Sequence, residues 1–310
     1  MAEYKGIHGT KIQNYTSDPA NPLQGEVWYN STSNSLKYFY VNPGSWATGG
    51  SLNTAKRGMG GAGTQTAALG FGGYNPTSLA DTELYNGSSW TELNNLNTAR
   101  EKLAGAGTST AALAFGGTPT GASTETWNGT NWTAVNNLNT ARQLLAGCGT
   151  NTAALGFGGY PPTGQTETWN GTNWTEVNDL GTARYSLAGC GTNTAALAFG
   201  GSTGPGAVTE LWNGTNWTEV NDLNTARQRL AGFGTQTAAV AAGGSPPSLA
   251  ITETWNGTNW TEVGDMNLAR TTLTGAGTQT AGLGFGGYDP QTAATEEWNS
   301  GPATVTITTT

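Results

Sequence analysis

An all-β fold made of six similar units is predicted by three features of the sequence. Gly-Gly pairs recur every 42 to 44 residues, at Gly72-Gly73, Gly116-Gly117, Gly158-Gly159, Gly200-Gly201, Gly243-Gly244 and Gly286-Gly287. Each period holds four short strand-like segments without a helical stretch, and tryptophans return at the same places. A fixed period of this length indicates a propeller, a solenoid or an array, and four short strands per period favour a propeller. We therefore predict a six-bladed β-propeller with four strands per blade.

The third unit illustrates the strand pattern. Strand a is expected at residues 144–149, strand b at 152–157, strand c at 166–169 and strand d at 174–177. Asn-Gly lies between c and d, and it is a strong hairpin signal because both residues accept positive φ. Strand a is rich in Gly and Ala, which suits the crowded axis of a propeller.

Aromatic residues supply the bulk on strands c and d. Strand c carries Tyr85, Trp127, Trp169, Trp212, Trp255 and Trp298. Strand d carries Trp46, Trp90, Trp132, Trp174, Trp217 and Trp260. A buried aromatic side chain removes roughly 150–250 Å² from water, so we expect these residues to dominate the core of each blade.

The order of these tryptophans predicts how the propeller closes. Trp46 precedes the first strand a, whereas Trp298 has no d-type partner after it. The simplest closure combines three C-terminal strands with an N-terminal strand d, which protects the sheet edges. The β-prone residues 303–307 are expected to add an edge strand. A seventh, partial blade from residues 26–41 is the alternative.

The propeller is assigned to residues 45–300, between an N-terminal extension (1–44) and a C-terminal tail (301–310). Within the extension, residues 26–29 and 36–40 predict two short aromatic strands joined by a turn. Two interpretations of this segment stay open. It is either an attachment module or a strap that packs on its own domain.

Composition restricts the partners and the environment. A net charge of −8 and a pI near 4.6 argue against nucleic acid or an anionic membrane as the main partner. No apolar run approaches the ~18 residues needed to span a bilayer, and the first residues lack the apolar core of an export signal. Cys148 and Cys190 occupy equivalent strand-a positions. We expect them to be small buried apolar side chains, with a disulfide or a metal pair as the alternative.

Two resemblances follow from these motifs. Gly-Gly at the end of one strand, an aromatic on the next, Trp on the fourth and Arg about ten residues later resemble the kelch repeat across residues 46–299. Gly25-Glu26-Val27-Trp28-Tyr29-Asn30 with Leu36-Lys37 resembles short segments of tailed-phage fibre and other virion proteins. The whole chain, rich in Trp-Asn-Gly-Thr-Asn-Trp, is similar to kelch-like structural proteins of marine bacteriophages. This likeness implies a virion component in a tail fibre or a surface decoration.

One basic residue is expected at the start of strand a and one acidic residue at the start of strand c in every unit. The bases are Lys56, Arg100, Arg142, Arg184, Arg227 and Arg270, and the acids are Glu83, Glu125, Glu167, Glu210, Glu253 and Glu296. One interpretation is a cationic ring that captures an anionic glycan, since Arg binds oxyanions bidentately. The interpretation we favour is six structural ion pairs, because the d–a and b–c connections of a blade emerge on the same face.

The segments after Gly-Gly differ most between units, and they form the b–c loops of one face. Loops on a rigid scaffold commonly carry recognition, and Tyr with Pro suits stacking on sugars or peptides. The candidate ligand-binding residues are Tyr74, Asn75, Pro119, Tyr160, Pro161, Pro205, Pro246, Tyr288 and Asp289. The competing interpretation is sequence drift at exposed loop tips.

Catalysis has little support in the sequence. The single histidine, His8, lies outside the repeats, so a His-based triad or a multi-His metal site in the propeller is excluded. We expect no enzyme activity, cofactor or metal. The expected function is a virion structural protein that displays a propeller toward a host-surface glycan or protein and contacts other virion proteins through its N-terminal segment. A bacterial glycan-binding or glycan-active kelch protein and a protein–protein adaptor are the alternatives. The oligomeric state stays open.

Overall fold

The computed structural model describes residues 12–203 and 206–307. These residues form β-strands and no helix, which confirms the all-β prediction. The chain divides into two compact units: a propeller unit, residues 44–299, and a terminal unit, residues 1–43 with 300–310.

The strands are numbered in chain order. Three begin before the repeats: β1 (Gln13–Tyr15), β2 (Val27–Asn30) and β3 (Ser35–Thr48). Blade 1 has β4 (Gly60–Thr64), β5 (Ala67–Phe71), β6 (Thr82–Tyr85) and β7 (Trp90–Leu93). Blade 2 has β8 (Ala104–Gly107), β9 (Ala112–Phe115), β10 (Thr124–Trp127) and β11 (Trp132–Val135). Blade 3 has β12 (Ala146–Gly149), β13 (Ala154–Phe157), β14 (Thr166–Trp169) and β15 (Trp174–Val177). Blade 4 has β16 (Ala188–Gly191), β17 (Ala196–Phe199), β18 (Thr209–Trp212) and β19 (Trp217–Val220). Blade 5 has β20 (Ala231–Gly234), β21 (Ala239–Ala242), β22 (Thr252–Trp255) and β23 (Trp260–Glu262). The last strands are β24 (Thr274–Gly277), β25 (Ala281–Phe285) and β26 (Thr295–Ile307).

Blades 1 to 5 are four-stranded antiparallel sheets with strands in the order a-b-c-d. In blade 6, β24, β25 and β26 are strands a, b and c, and the end of β3 is strand d. Trp46 on β3 packs against Trp298 on β26, with ring centroids 5.4 Å apart. The six-bladed propeller and its closure by an N-terminal strand d are confirmed.

Some expected boundaries are wrong. Strand a of blade 3 begins at Ala146 instead of Leu144, because Leu144 has a left-handed φ of 57° that a strand does not accept. Strand b begins at Ala154, since residue 152 lies in the a–b turn. Residues 303–307 end β26 and do not form a separate strand. Residues 26–41 contribute to β2 and β3, so the described residues contain no seventh blade.

A tryptophan on each strand d binds the preceding blade. Its indole Nε1 donates a hydrogen bond of 2.9–3.0 Å to the threonine hydroxyl that begins strand c of that blade. The six pairs are Trp46–Thr252, Trp90–Thr295, Trp132–Thr82, Trp174–Thr124, Trp217–Thr166 and Trp260–Thr209. The junction made by the N-terminal Trp46 is therefore equivalent to the other five.

Phenylalanine at the end of strand b fills the space between blades. Phe115, for example, lies 4.8 Å from Trp174 of the next blade, measured between ring centroids. A Cβ atom on Gly147 would lie 2.3 Å from the Phe115 ring, so strand a of the next blade needs glycine there. Equivalent Phe–Trp contacts of 4.8–4.9 Å connect five of the six blade pairs.

The junction between blades 5 and 6 solves the same packing problem differently. Ala242 stands where other blades have this phenylalanine, and Phe233 on strand a supplies the ring against Trp46. Phe233 fits because blade 6 has Gly282 where the other blades have alanine. A Cβ atom at Gly282 would lie 2.1 Å from the Phe233 ring. Three residues on different strands are therefore adjusted to one another.

The terminal unit has its own small polar centre. β1 pairs with β2 in parallel, and β2 pairs with β3 antiparallel. Trp28 is fully buried, and its Nε1 donates to Asp18 at 3.0 Å. Asn30 and Lys37 also donate to Asp18. The hydrogen bond from Asn30, followed by those from Trp28 and Lys37, lowers the pKa of the Asp18 carboxyl.

The packing at the blade 5–6 junction generates a prediction. Gly282→Ala should lower the free energy of unfolding by about 1–3 kcal/mol, because the added methyl overpacks the Phe233 ring. The triple variant Gly282→Ala, Phe233→Ala, Ala242→Phe restores the residue pattern of the other junctions and should regain most of this loss. Denaturant unfolding of the two variants measures both effects. Equal destabilisation in both would contradict the compensation.

Candidate functional site

Six buried ion pairs each join a base just before strand a to a glutamate on strand c of the same blade. The basic nitrogen and the carboxylate oxygen are 2.8–3.2 Å apart in every pair. The pairs are Lys56–Glu83, Arg100–Glu125, Arg142–Glu167, Arg184–Glu210, Arg227–Glu253 and Arg270–Glu296. We call this set the ion-pair ring.

Blade 3 shows what the five arginine pairs connect. The Arg142 guanidinium donates to the backbone carbonyls of Gly156, Gly158 and Gln165, and also to Glu167. Strand b, the b–c loop and strand c are thus bound to one side chain.

The other oxygen of each glutamate binds the chain that enters the blade. In blade 3, Glu167 Oε2 accepts bonds from the backbone N–H and the side-chain amide of Asn139, at 2.7 and 2.9 Å. The Asn139 amide also donates to the carbonyl of Trp174 on strand d. In blade 4, where Gly181 replaces this asparagine, the backbone N–H of Gly181 binds Glu210 Oε2 without a side-chain amide beside it. The recurring Leu-Asn-Thr-Ala-Arg segment therefore carries both halves of one network.

Burial determines what the ion-pair ring can do. The side chains of all twelve residues are at most 3% exposed. Burial lowers the pKa of the five arginines, that of Arg270 to about 10, while the partner carboxylates act in the opposite direction. The arginines stay charged at neutral pH, but these guanidinium groups are not accessible to a ligand. The geometry thus favours a structural role over glycan capture.

A second ring lies around the propeller axis, two residues after each base of the ion-pair ring. Its members are Gly58, Lys102, Leu144, Ser186, Arg229 and Thr272. Each backbone N–H donates to the carbonyl of the corresponding residue in the preceding blade, at 2.7–3.1 Å, and Gly58 closes the circle onto Thr272. We call this closed circle of hydrogen bonds the mouth ring.

The mouth ring has an unusual backbone. All six residues have left-handed φ values of 56–62°, although five of them are not glycine. This conformation costs an L-residue roughly 1–2 kcal/mol, so the surrounding hydrogen bonds must hold it in place. The side chains are not used by the circle and therefore vary without breaking it.

A cavity of about 410 Å³ lies at this mouth. Its lining includes Arg57, Tyr74, Lys102, Arg229 and Tyr288. The Arg57 guanidinium carbon lies 4.9 Å from the centre of the Tyr74 ring and 4.1 Å from that of Tyr288. Cation–π contacts of this kind position the Arg57 side chain between two aromatic rings.

The predicted loop residues do not form one site. Tyr74 and Tyr288 line the mouth cavity. Tyr160 and Pro119 line a separate groove of about 190 Å³, where Tyr160 packs edge-on against Tyr185. Pro246 lines a third groove, of about 310 Å³.

The remaining loop predictions have other surroundings. The Asn75 amide donates to the carbonyl of Ala55, and Asp289 accepts a bond from the Ser248 hydroxyl, so both side chains have partners within the fold. Pro161 is exposed beside Tyr160. Pro205 lies outside the described residues.

Sequence reasoning missed the two residues that follow each base of the ion-pair ring. The first of them pairs through the backbone with the first residue after Gly-Gly, as Arg57 does with Tyr74 and Thr271 with Tyr288. The second forms the mouth ring. A signal was present, because these two positions vary between units as strongly as the b–c loops do.

The two cysteines lie on the inner strands. Cys148 and Cys190 are free and buried, and burial raises the pKa of the Cys148 thiol to about 12. Each thiol lies 3.4–3.5 Å from a backbone carbonyl of the next blade. This is the environment of a small apolar side chain with a weak S–H donor.

The ion-pair ring generates a stability prediction. Arg142→Ala should lower the free energy of unfolding by about 3–5 kcal/mol, because Glu167 is left as a buried carboxylate without its cation. The matched double variant Arg142→Met, Glu167→Leu removes both charges and should cost less than Arg142→Ala alone. Chemical denaturation of the three proteins tests the pair. A double variant less stable than Arg142→Ala would contradict this account.

No protein-family model matches the chain, and no curated protein matches it. In the described part of the chain, no group of three or more His, Cys, Asp or Glu side chains is placed to hold a metal ion. Residues 12–203 and 206–307 include no helix with the length and apolar character of a membrane span. The fold is a six-bladed β-propeller, which is consistent with a kelch-like repeat.

Proposed function

We propose that the protein is a non-enzymatic structural component of a tailed-phage virion, in a tail fibre or a surface decoration, and that its propeller contacts a glycan on the host surface. The observation that carries the recognition role is the mouth cavity with Tyr74, Arg57 and Tyr288 at its rim. Aromatic rings beside a polar group, held on a rigid scaffold, are suited to a small polar ligand. The virion setting rests on the resemblance to marine-phage structural proteins.

The repeated carboxylates support a role without catalysis. Each glutamate of the ion-pair ring binds a cation through one oxygen and the incoming chain through the other. A general acid or base needs a carboxyl that can exchange a proton with a substrate. These six groups are instead committed to the backbone network of the fold.

Exposed apolar side chains support attachment through the terminal unit. Leu23 is 76% exposed, Ile12 54% and Val41 44%. In the described part of the propeller unit, the large exposed hydrophobic residues are Tyr160 and Tyr288, both in b–c loops. Apolar surface on the terminal unit suits contacts with other virion proteins, while the tyrosines suit ligand recognition.

Purified particles test the virion role. Mass spectrometry of intact phage should find the protein at a regular copy number, and electron microscopy should locate it on the tail or the surface. Its absence from particles would overturn the virion assignment. Persistent glycan binding by a protein absent from particles would favour a bacterial glycan-binding propeller.

A glycan array tests the recognition role. Replacing Tyr74 and Tyr288 with alanine should weaken binding at least roughly ten-fold, about 1.4 kcal/mol, because both rings border the mouth cavity. Tyr38→Ala, in the terminal unit, is the tyrosine-matched control and should leave binding unchanged. Loss of binding with Tyr160→Ala alone would move the site to the neighbouring groove. An unaffected Tyr74→Ala, Tyr288→Ala variant would reject the mouth cavity.

A further inference from the structure

We infer that the mouth cavity binds an anionic saccharide, one whose sugar ring carries a carboxylate or sulfate group, and that Lys102 and Arg229 bind this anion from opposite sides of the propeller axis. This inference rests on the proposed glycan recognition and adds the chemical class of the ligand. Four features carry it: the distribution of cations, their placement around the axis, their availability to a ligand and the size of the cavity.

The accessible cations of the propeller converge on one place. Residues 44–299 contain nine Lys and Arg residues, and six of them are buried in the ion-pair ring. The other three, Arg57, Lys102 and Arg229, all line the mouth cavity. Glu101 is the one carboxylate in this lining. A chain of net charge −8 therefore presents a local positive field at the end of its axis.

The mouth ring places two of these cations on opposite sides of the propeller axis. Lys102 belongs to blade 2 and Arg229 to blade 5, so they stand three places apart in a closed circle of six. Positions three places apart in such a circle lie across the axis from each other. An oxyanion on the axis is thus between an ammonium-bearing and a guanidinium-bearing side chain. The backbone N–H groups of the ring donate within the circle, so the side chains must bind the anion.

The charges of Arg229 and Lys102 are available to a ligand. Arg229 is exposed and has neither a salt bridge nor a side-chain hydrogen bond within the described residues. Lys102 is 36% exposed, and its ammonium lies 3.4 Å from Glu101. The Glu101 side chain is 12% exposed, but the lysine end of this pair reaches solvent, so the ammonium is readily shared with a ligand.

Arg57 adds a donor with a fixed orientation. Its guanidinium faces the Tyr74 and Tyr288 rings and has no carboxylate partner in the described part of the chain. Stacking uses the flat faces of a guanidinium, while the in-plane N–H groups remain suited to a bidentate oxyanion contact. The tyrosines present aromatic surface and hydroxyls beside the charged group, which suits a sugar ring.

The dimensions favour a compact ligand over an acidic peptide. A volume of about 410 Å³ falls in the lower part of the ~300–1,000 Å³ range of small-ligand sites. The site is bounded by the mouth ring and by two b–c loops, whereas an extended peptide needs a longer groove. An acidic peptide is therefore an outcome of the test and not the ligand we infer.

The test uses variants that the chain itself suggests. Gly58 occupies the mouth ring with the same left-handed φ as its neighbours, so Lys102→Gly and Arg229→Gly remove charge without backbone strain. Ser186→Gly is the matched control. It has the same ring position and φ, is neutral, and does not line the mouth cavity. Circular dichroism and melting temperature should establish that all variants fold.

Isothermal titration calorimetry measures how tightly the intact protein binds four saccharides: 3′-sialyllactose, digalacturonic acid, lactose 3′-sulfate and lactose. We expect binding of at least one acidic saccharide and at least roughly ten-fold weaker binding of lactose. The acidic saccharides distinguish a carboxylate from a sulfate requirement. The double variant Lys102→Gly, Arg229→Gly should bind the acidic saccharide at least roughly a hundred-fold more weakly. Ser186→Gly should not change the affinity. Added salt should weaken binding in the same direction.

Three outcomes would overturn the inference. Equal binding of lactose and the acidic saccharides, or acidic binding unchanged in the double glycine variant, would reject the anionic class while leaving glycan recognition intact. Binding of a hexaglutamate peptide with the same charge dependence, and of no saccharide, would replace the ligand with an acidic peptide. No binding to any member of a glycan array by the wild-type protein would reject the proposed recognition role together with the inference.

Discussion

The structure depends on a buried ion pair repeated once in every blade. Each pair lies in a low-dielectric interior, where a charge without a partner is strongly destabilising. In the five arginine pairs the base binds the end of strand b and the start of strand c, and in every pair the acid binds the segment that arrives from the previous blade. One interaction thus couples the inside of a blade to its connection with its neighbour. This explains why Arg, Glu and Asn recur at equivalent positions of the units, whereas the loop sequences between them differ.

Because of that coupling, the side chains of the mouth ring can differ from blade to blade. The residues of the mouth ring are held by backbone hydrogen bonds and by the ion pairs two residues earlier, so their side chains carry little of the stability. Gly58, Lys102 and Leu144 occupy equivalent places with the same φ. A rigid circle that holds polar, charged and apolar side chains alike is a suitable base for a recognition surface. The chemistry of the site therefore comes from the least repeated part of the unit.

The Phe233 junction shows that regular repetition is one of two ways to fill the space between blades. An aromatic ring is required beside the strand-d tryptophan, yet either strand b or strand a can provide it. Read along the chain, Ala242 and Gly282 are ordinary small residues that interrupt a pattern. In the folded propeller they lie around the Phe233 side chain. The residues at these three positions differ from those at the other junctions, and the differences compensate one another because close packing conserves volume.

The sequence alone determined the number of blades, their strand order and the closure through Trp46, because these are properties of spacing along one chain. Periodic Trp, Gly-Gly and Arg signals report local packing needs that every blade repeats. Only the tertiary structure decided which variable residues share a site. The b–c loops look like one surface in the sequence, but the propeller distributes them over three cavities. Arg57, Lys102 and Arg229 lie far apart in the sequence, and they converge because closure brings the starts of all six inner strands to one axis.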